Sequence, residues 1–293
     1  MSEKLLGSIE AGGTKFVCAV GNFEYEVVET VQFPTTTPME TLQKAIDFFR
    51  KFDVAAIGIG SFGPIDIHVH SATFGHVLST PKKGWADFDF VGTLKKTIDV
   101  PTFFTTDVNS SAYGEYIKGA AREADSVLYF TIGTGIGGGA IQSGEFIGGI
   151  NHAEMGHALV KRHPRDSGFK GVCPFHGDCL EGMAAGPSIE ARTGIKGEKI
   201  PIEDDVWDTQ AYYIAQAAYS ATLTLAPEKI IFGGGVMSRL HMIELVRKNF
   251  VMINNHYVKT PPIEEYLITT GIRDNGAATL GNFALALKEF IKN

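Results

Sequence analysis

Short apolar runs that end at glycine recur along the chain and predict strands followed by tight turns. The run at residues 6–9 leads into Gly12-Gly13-Thr14 and then into a second apolar run at 16–20. The same order of strand, glycine turn and strand returns at 127–141, around Gly133-Thr134-Gly135. The remaining periodic segments predict strands at 55–59, 102–105 and 229–232 and helices over 41–52, 207–225 and 277–290.

The two strand–turn–strand units are about one domain length apart. Gly12 and Gly135 are separated by 123 positions, and domains most often have roughly 100–150 residues. The repetition predicts two related halves, each of which presents a backbone loop to one ligand. No low-complexity linker divides the chain, so we expect the chain to cross between compact domains without a tether.

The composition is typical of a soluble globular protein: of 293 residues, 44% are hydrophobic and 20% are charged. The formal net charge of −7 argues against bulk binding of nucleic acid or of an anionic membrane. No apolar run reaches the roughly 18 residues that a membrane-spanning helix needs, and the first residues lack the apolar stretch of a signal peptide. We therefore expect a cytoplasmic protein with neither a nucleic-acid nor a membrane partner.

Three glycine clusters follow apolar strands and are candidate phosphate-binding loops. Glycine lets the backbone approach a phosphate closely, successive N–H groups can surround the anion, and threonine hydroxyls add donors. One such cluster alone is usually a plain hairpin turn, but three clusters that each end an apolar strand are stronger evidence together. Neither a Walker A sequence nor a clean dinucleotide fingerprint occurs. The candidates are Gly12, Gly13, Thr14, Gly133, Thr134, Gly135, Gly233, Gly234, Gly235, Val236, Met237, Ser238 and Arg239. Beside the first cluster, Lys15 either adds a positive charge or faces solvent.

Asp107 follows a predicted strand at the expected start of a helix. An alcohol that attacks phosphorus needs a proton acceptor nearby, and a carboxylate at the carboxyl end of a strand is well placed to be that base. Asn109 could then bind sugar hydroxyls. The same sequence is an ordinary helix N-cap sequence, and spacing alone favours capping over catalysis.

A cluster of cysteine and histidine predicts a metal site. Cys173, His176 and Cys179 are spaced at intervals of three, and His157 lies 16 positions upstream of Cys173. Two thiolates and two imidazoles complete a tetrahedral Zn²⁺ site with no open position, so the metal is expected to be structural. Spacing leaves His152 and His163 as rival fourth ligands. Such a metal would position the loop of Glu154 and the segment of Glu181, whose carboxylates either bind sugar hydroxyls or are ordinary surface charges.

These segments together resemble the ROK family of sugar kinases and repressors, and within it the bacterial fructokinases, over essentially the whole chain. The similar segments are Glu10–Lys15 and Thr131–Gly137 (two phosphate motifs), Gly233–Val236 (an adenosine motif), Thr106–Asn109 (a catalytic segment), Glu154–His157 with Cys173–Glu181 (a sugar- and zinc-binding signature) and Ala185–Ser188 (a nucleotide-side turn). By this resemblance Asp107 is the base, and the sugar lies against Asn109, Glu154, His157 and Glu181. The nucleotide set then includes Lys15, Thr131 and Pro187, and His157 is also a zinc ligand.

The resemblance also implies an architecture: an actin-like ATPase (ribonuclease H-like) fold, with two α/β domains around a cleft. Residues 1–115 would form the first domain, with a terminal helix at about 277–293 packing back on it, and 116–276 the second, which carries the zinc loop. A homodimer is implied as well. Glu10 stands where the family usually has Asp, and His176 replaces one cysteine of the usual zinc loop. Both departures resemble the fructokinase branch.

The expected function is MgATP-dependent phosphorylation of a free hexose, with fructose converted to fructose 6-phosphate. A mannokinase or glucokinase of the same family is the nearest alternative. From a different class, a non-catalytic sugar-sensing regulator is the alternative. A repressor would need an added DNA-binding domain, although the first predicted strand begins near residue 5, and the negative net charge opposes it.

Overall fold

The computed structural model describes residues 4–272 and 276–292; Asn293, at the end of the expected terminal helix, lies outside them. The strands are β1 (Leu5–Ala11), β2 (Lys15–Gly21), β3 (Val27–Pro34), β4 (Val54–Ser61), β5 (His76–Val77), β6 (Phe88–Asp89), β7 (Thr102–Thr106), β8 (Ser126–Ile132), β9 (Ile136–Gln142), β10 (Glu145–Phe146), β11 (Lys229–Gly233) and β12 (Leu267–Thr269). The α-helices are α1 (Pro38–Phe49), α2 (Phe90–Lys95), α3 (Asp107–Lys118), α4 (Leu180–Ala184), α5 (Gly186–Thr193), α6 (Val206–Thr224), α7 (Leu240–Asn254), α8 (Ile263–Tyr266) and α9 (Ala277–Lys292). Short 3₁₀ helices lie at Met155–His157, Pro164–Asp166 and Gly197–Lys199.

The chain divides into two compact units. The first comprises the described residues within Met1–Arg122, Ile147–His152 and Ile272–Asn293, and the second comprises Glu123–Phe146 and Ala153–Gly271. The units change over at residue 122, and the sequence-based division after residue 115 stays a prediction.

The first unit is built on a five-stranded sheet of order β3-β2-β1-β4-β7. Strands β1, β4 and β7 are parallel, so their carboxyl ends share one edge. That edge carries the Gly12–Thr14 turn, the loop after Ser61 and the start of α3. Helices α1 and α2 bury their apolar sides against one face, around Phe16 and Ile57. Helix α9 packs against the other face, where Phe283 meets Leu6.

The second unit repeats this plan with a five-stranded sheet of order β10-β9-β8-β11-β12. The β8–β9 hairpin is antiparallel, as is the β1–β2 hairpin of the first unit, which matches the two strand–turn–strand units predicted from the sequence. Strands β8, β11 and β12 are parallel. The Gly133–Gly135 turn and the Gly233–Gly235 loop therefore lie at the same carboxyl edge.

Helix ends differ from expectation where local chemistry outweighs periodicity. Pro38 at the first turn starts α1 three residues before the predicted Thr41, because its fixed φ suits that position. The helix ends at Phe49, and Phe52 packs on the core from a turn instead. Among the described residues, none of the helices combines the length and the apolar character that a membrane crossing requires.

Candidate active site and metal centre

The first glycine turn directs its carbonyl groups toward the protein. Thr35 donates its hydroxyl to the Gly12 carbonyl at 2.8 Å, and its backbone N–H to the Thr14 carbonyl at 3.0 Å. The Gly12 N–H closes the hairpin on the Lys15 carbonyl at 3.0 Å. Within the described chain, the N–H groups of Gly13 and Thr14 have no hydrogen-bond acceptor. Two adjacent N–H groups are thus available to an anion, as the phosphate-loop hypothesis requires.

Glu10, at the end of β1, lines a cavity of about 500 Å³ beside this turn, together with Lys15 and Thr279 of α9. Burial raises the pKa of the Glu10 carboxyl, and the positive charge of Lys15 partly opposes the rise. The carboxyl is therefore poorly stabilised as an anion by the protein alone. A divalent cation would supply the missing stabilisation, so the donor chemistry fits Mg²⁺.

Asp107 is the first residue of α3, and Thr106, not Asp107, is the N-cap. The Thr106 hydroxyl accepts the Asn109 N–H at 3.1 Å. The Asp107 Oδ1 accepts only the adjacent Val108 N–H among the hydrogen bonds that define this helix start, at 2.8 Å. The N-cap alternative is therefore wrong for Asp107, and its role as the base stays a prediction. Asn109 is buried, and its amide donates to the Thr105 hydroxyl at 3.0 Å.

A second polar edge forms within the second unit, where three glycine segments meet. The Gly186 N–H donates to the Gly133 carbonyl at 2.7 Å. The Val236 N–H donates to the Ile132 carbonyl at 3.0 Å. Gly234 lies so close to Ile132 that a Cβ at position 234 would be only 2.5 Å from the Ile132 carbonyl oxygen. The start of α5, which includes Pro187, therefore adjoins the second glycine turn, and that turn in turn contacts the Gly233–Gly235 loop. This convergence fits the nucleotide-binding hypothesis.

The side chains that follow the glycines of the third cluster mainly contact other parts of the protein. The side chains of Val236 and Met237 are buried, and the Ser238 hydroxyl donates to the Gly235 carbonyl at 2.7 Å. The Arg239 guanidinium stacks 4.5 Å from the Trp207 ring centre and donates to the Gly197 carbonyl. Any contact of Val236 or Met237 with a nucleotide would therefore come from the backbone.

Four side chains form a candidate metal centre. One ligand atom from each of His157, Cys173, His176 and Cys179 lies within 4.8 Å of the others. The His157 Nδ1 is 3.7 Å from the Cys173 sulfur and 3.5 Å from the Cys179 sulfur. Tetrahedral zinc with ordinary bond lengths separates a sulfur and a nitrogen ligand by about 3.6 Å, so the set fits zinc. Burial raises the pKa of the Cys179 thiol to about 11, and a bound cation would favour its thiolate.

The rival ligands have other roles. The His152 Nε2 accepts the Ile65 N–H at 3.1 Å within the first unit. The His163 Nδ1 accepts the Arg165 N–H at 3.2 Å. Neither belongs to the metal cluster, so His157 is the fourth candidate ligand.

Both proposed sugar carboxylates adjoin this centre along the chain. Glu181 lies in the first turn of α4, two residues after Cys179, and its Oε2 accepts the Ile136 N–H at 3.0 Å. It thereby connects the metal loop to the second glycine turn. Glu154 is exposed and precedes the 3₁₀ helix that carries His157. Since the Nδ1 of His157 faces the sulfurs, its Nε2 on the opposite ring edge is directed away from the metal position.

A buried ion pair stabilises the chain segments that adjoin the metal loop. Arg192 and Asp166 are 8% and 7% exposed, with the Arg192 Nη2 2.8 Å from the Asp166 Oδ2. Arg192 also donates to the Met183 carbonyl at 2.6 Å, and the Tyr213 hydroxyl donates to Asp166 at 2.9 Å. Burial raises the pKa of Tyr213 to about 12, which keeps this donor protonated. Arg162 lies close to Asp166 in sequence, and its Nη2 is 2.7 Å from the Asp178 Oδ2 of the metal loop.

Comparison with known proteins identifies the family. A family model described as the ROK family matches residues 6–289. The chain belongs to the ROK family. A protein named fructokinase from Streptococcus mutans serotype c is 57% identical over 289 residues, which cover 97% of this chain and 98% of that protein. Another, from Lactococcus lactis subsp. cremoris, is 55% identical over 287 residues and 98% of both chains.

The fold of this ROK chain agrees with solved structures. The crystal structure of the ROK hexokinase from Thermus thermophilus matches with a TM-score of 0.79 at 23% identity, over 99% of this chain and 100% of that one. The ROK assignment and the actin-like ATPase fold expected from the sequence are both confirmed.

Sequence reasoning missed three groups around these sites: Lys82, Asn282 and the pair of Asp166 with Arg192. Lys82 lies 69 positions from Gly13, whose carbonyl it contacts. Asn282 interrupts the apolar pattern of the terminal helix at a fully buried position. That interruption was a usable signal, because a polar residue on a buried helix face must find hydrogen-bond partners.

Proposed function

We propose that this ROK chain transfers the terminal phosphoryl group of ATP to a free hexose and that the preferred hexose is D-fructose. The chain is a sugar kinase, and the observation that carries the substrate is the identity of 57% and 55% to two fructokinases along nearly the whole chain. The product is then fructose 6-phosphate. The sites in each unit are consistent with this chemistry.

In the proposed reaction, the sugar 6-hydroxyl attacks the terminal phosphorus while Asp107 accepts the hydroxyl proton. The bond between that phosphorus and the bridging oxygen breaks, and ADP leaves with the electron pair. Asn109, Glu154, His157 and Glu181 would orient the sugar hydroxyls. The Gly12–Lys15 and Thr131–Gly135 segments, with Pro187 and Gly233–Arg239, would hold the nucleotide.

Two metals accompany this proposal. Mg²⁺ would neutralise polyphosphate charge when bound, and Glu10 is the residue whose half-buried carboxyl would hold it directly or through water. Zn²⁺ would be structural, held by His157, Cys173, His176 and Cys179. Its role would be to fix the positions of Glu154 and Glu181 through the chain segments that adjoin its ligands.

Initial-rate kinetics under saturating MgATP test the substrate. We expect fructose to have the highest kcat/KM, mannose to follow and glucose to be poor. A hydroxyl mismatch leaves a carboxylate or amide that the bound sugar shields from water unpaired, at about 1–3 kcal/mol for each group. Two mismatches therefore separate hexoses by about two orders of magnitude or more. A glucose kcat/KM equal to that of fructose would instead identify a glucokinase. Sugar binding without any ADP release would favour a non-catalytic regulator.

The cellular and oligomeric expectations belong to the same proposal. A cytoplasmic location suits a metal site with two thiolates, which a reducing compartment keeps from oxidation. Nucleic-acid and membrane partners are not expected, given the net charge of −7. A homodimer is proposed from the family resemblance, and light scattering at micromolar concentration measures it directly.

A further inference from the structure

The loop between β5 and β6 carries a lysine to the first glycine turn. Trp85 fixes this loop: its ring is fully buried, lies 5.6 Å from that of Phe16, and donates its indole N–H to the Thr36 carbonyl at 2.8 Å. The backbone N–H of Trp85 also donates to the Lys82 carbonyl at 3.1 Å, which closes a turn. From that turn, the Lys82 ammonium donates to the carbonyl of Gly13.

The position of this ammonium completes the polar surroundings of the turn. All three backbone carbonyls of the turn accept a hydrogen bond. Thr35 donates to those of Gly12 and Thr14, and Lys82 donates to that of Gly13. The N–H groups of Gly13 and Thr14 have no acceptor within the described chain. An ammonium has three N–H donors, and the bond to Gly13 uses one of them. A positive charge with spare donors therefore lies beside two free amides.

Lys82 differs from the other lysine of this turn. Lys15 begins β2, lines the cavity of Glu10 and acts electrostatically on that carboxyl. Over residues 4–272 and 276–292, Lys82 has no ion pair with a carboxylate. Its charge is thus uncompensated by the protein, which suits an anionic ligand.

The strand order indicates which phosphate this charge would meet. The turn follows β1 and Asp107 follows β7, with β4 between them in the same parallel sheet. Two strand spacings separate these ends by about 10 Å. If Asp107 lies at the sugar hydroxyl, the group that extends from that hydroxyl toward the turn is the transferred phosphoryl group and not the adenosine.

We infer that Lys82 binds the terminal phosphoryl group of ATP and stabilises the charge that spreads over its oxygens during transfer. The inference rests on the proposed kinase function and adds a cation to it. A preorganised donor at developing charge contributes more in the transition state than in the ground state. Lys82→Met should therefore lower kcat/KM for MgATP by about 10²–10³-fold, and Lys82→Arg should recover a large part of it.

The test compares Lys82→Met with Lys83→Met, the adjacent exposed lysine, which has no side-chain hydrogen bond or ion pair in the described structure. Kinetics are combined with equilibrium binding of ADP and of a non-hydrolysable ATP analogue. We expect Lys82→Met to weaken binding of the analogue, to leave ADP binding unchanged and to keep the wild-type melting temperature, while Lys83→Met resembles wild type in every measurement.

Equal losses for ADP and the analogue would overturn the assignment to the terminal phosphate. Wild-type kinetics in Lys82→Met would overturn the inference entirely, although an active wild-type enzyme would keep the kinase function intact. A wild-type protein that phosphorylates no hexose would contradict the proposed function instead.

Discussion

Ser110 on α3 donates its hydroxyl to the side-chain oxygen of Asn282 on α9, with the two oxygens 2.6 Å apart. The Asn282 amide nitrogen donates onward to the Ser8 hydroxyl and to the Ile9 carbonyl, each at 3.1 Å. All these groups are buried. One side chain near the end of the sequence thus joins the helix that begins with Asp107 to the first strand.

Replacing Asn282 with alanine should destabilise the protein by about 2–4 kcal/mol, because buried donors and acceptors on β1 and α3 lose their partner. Urea denaturation followed by far-UV circular dichroism measures the loss. Lys292→Ala, near the exposed end of α9, is the control and should stay within about 0.5 kcal/mol of wild type. If Asn282→Ala changed the free energy of unfolding no more than Lys292→Ala does, the network would contribute little to stability.

The functions of Asp107 and Thr106 can be separated experimentally. Asp107→Asn keeps the shape and the acceptor for Val108 but removes the base, so kcat should fall by about 10²–10⁴-fold at an unchanged melting temperature. Thr106→Ala removes the cap and should lower stability by about 1 kcal/mol while the base remains. Steady-state kinetics and thermal melting of both variants check this. Near-normal turnover of a folded Asp107→Asn variant would exclude Asp107 as the base.

The candidate metal centre predicts one zinc ion per chain. Elemental analysis of protein purified without chelators should give this ratio, and Cys179→Ser should lower it sharply. Chelation should decrease the melting temperature and weaken fructose binding together, because the ligands flank the segments of Glu154 and Glu181. Cys18→Ser provides the comparison: that buried cysteine lies outside the cluster, so zinc content should be retained. Protein without stoichiometric metal would contradict the assignment.

The buried pair of Arg192 and Asp166 should be far more important for stability than its exposed neighbour. Arg192→Met leaves a buried carboxylate uncompensated and should cost about 3–5 kcal/mol. Arg165 is 46% exposed and pairs with Asp205, which is 85% exposed, and with Asp208, which is 26% exposed, so Arg165→Ala should cost at most about 1 kcal/mol for each pair. Chemical denaturation of the two variants compares them. Equal losses of stability in the two variants would show that burial does not determine how much an ion pair contributes here.

Local patterns in the sequence predicted the parts of this molecule that local chemistry determines. Apolar runs ending at glycine marked strands β1, β8 and β11 and their turns, and spacing of thiolates and imidazoles marked the metal cluster. Periodicity also predicted helix α6 to within one residue at each end.

Other features depend on pairs that lie far apart in sequence. Asn282 meets Ser110 across 172 positions, and Arg192 meets Asp166 across 26. No periodic signal encodes such a pair, because each partner is placed by a different element of the fold. Lys82 is similar, since its loop has no regular pattern and the buried Trp85 helps to hold that loop near Gly13.

The protonation of Glu10 should couple stability to pH. Burial raises its pKa in the folded protein above that of the unfolded chain. As pH increases, the unfolded chain therefore loses this proton first, and linkage lowers the stability of the folded state. The loss begins near the ordinary carboxyl pKa, is complete above the raised one, and is absent below both.

Glu10→Gln cannot titrate at this position and should avoid that loss. In magnesium-free buffer we expect the variant to melt at a higher temperature than wild type at pH 8, with the difference shrinking toward pH 5. Activity should change in the opposite direction, because a neutral amide is a weak ligand for Mg²⁺, so kcat should fall and the magnesium requirement should rise. Melting curves across pH, with and without Mg²⁺, measure both effects. A melting difference that is constant across this range would show that the charge of Glu10 is not its cause.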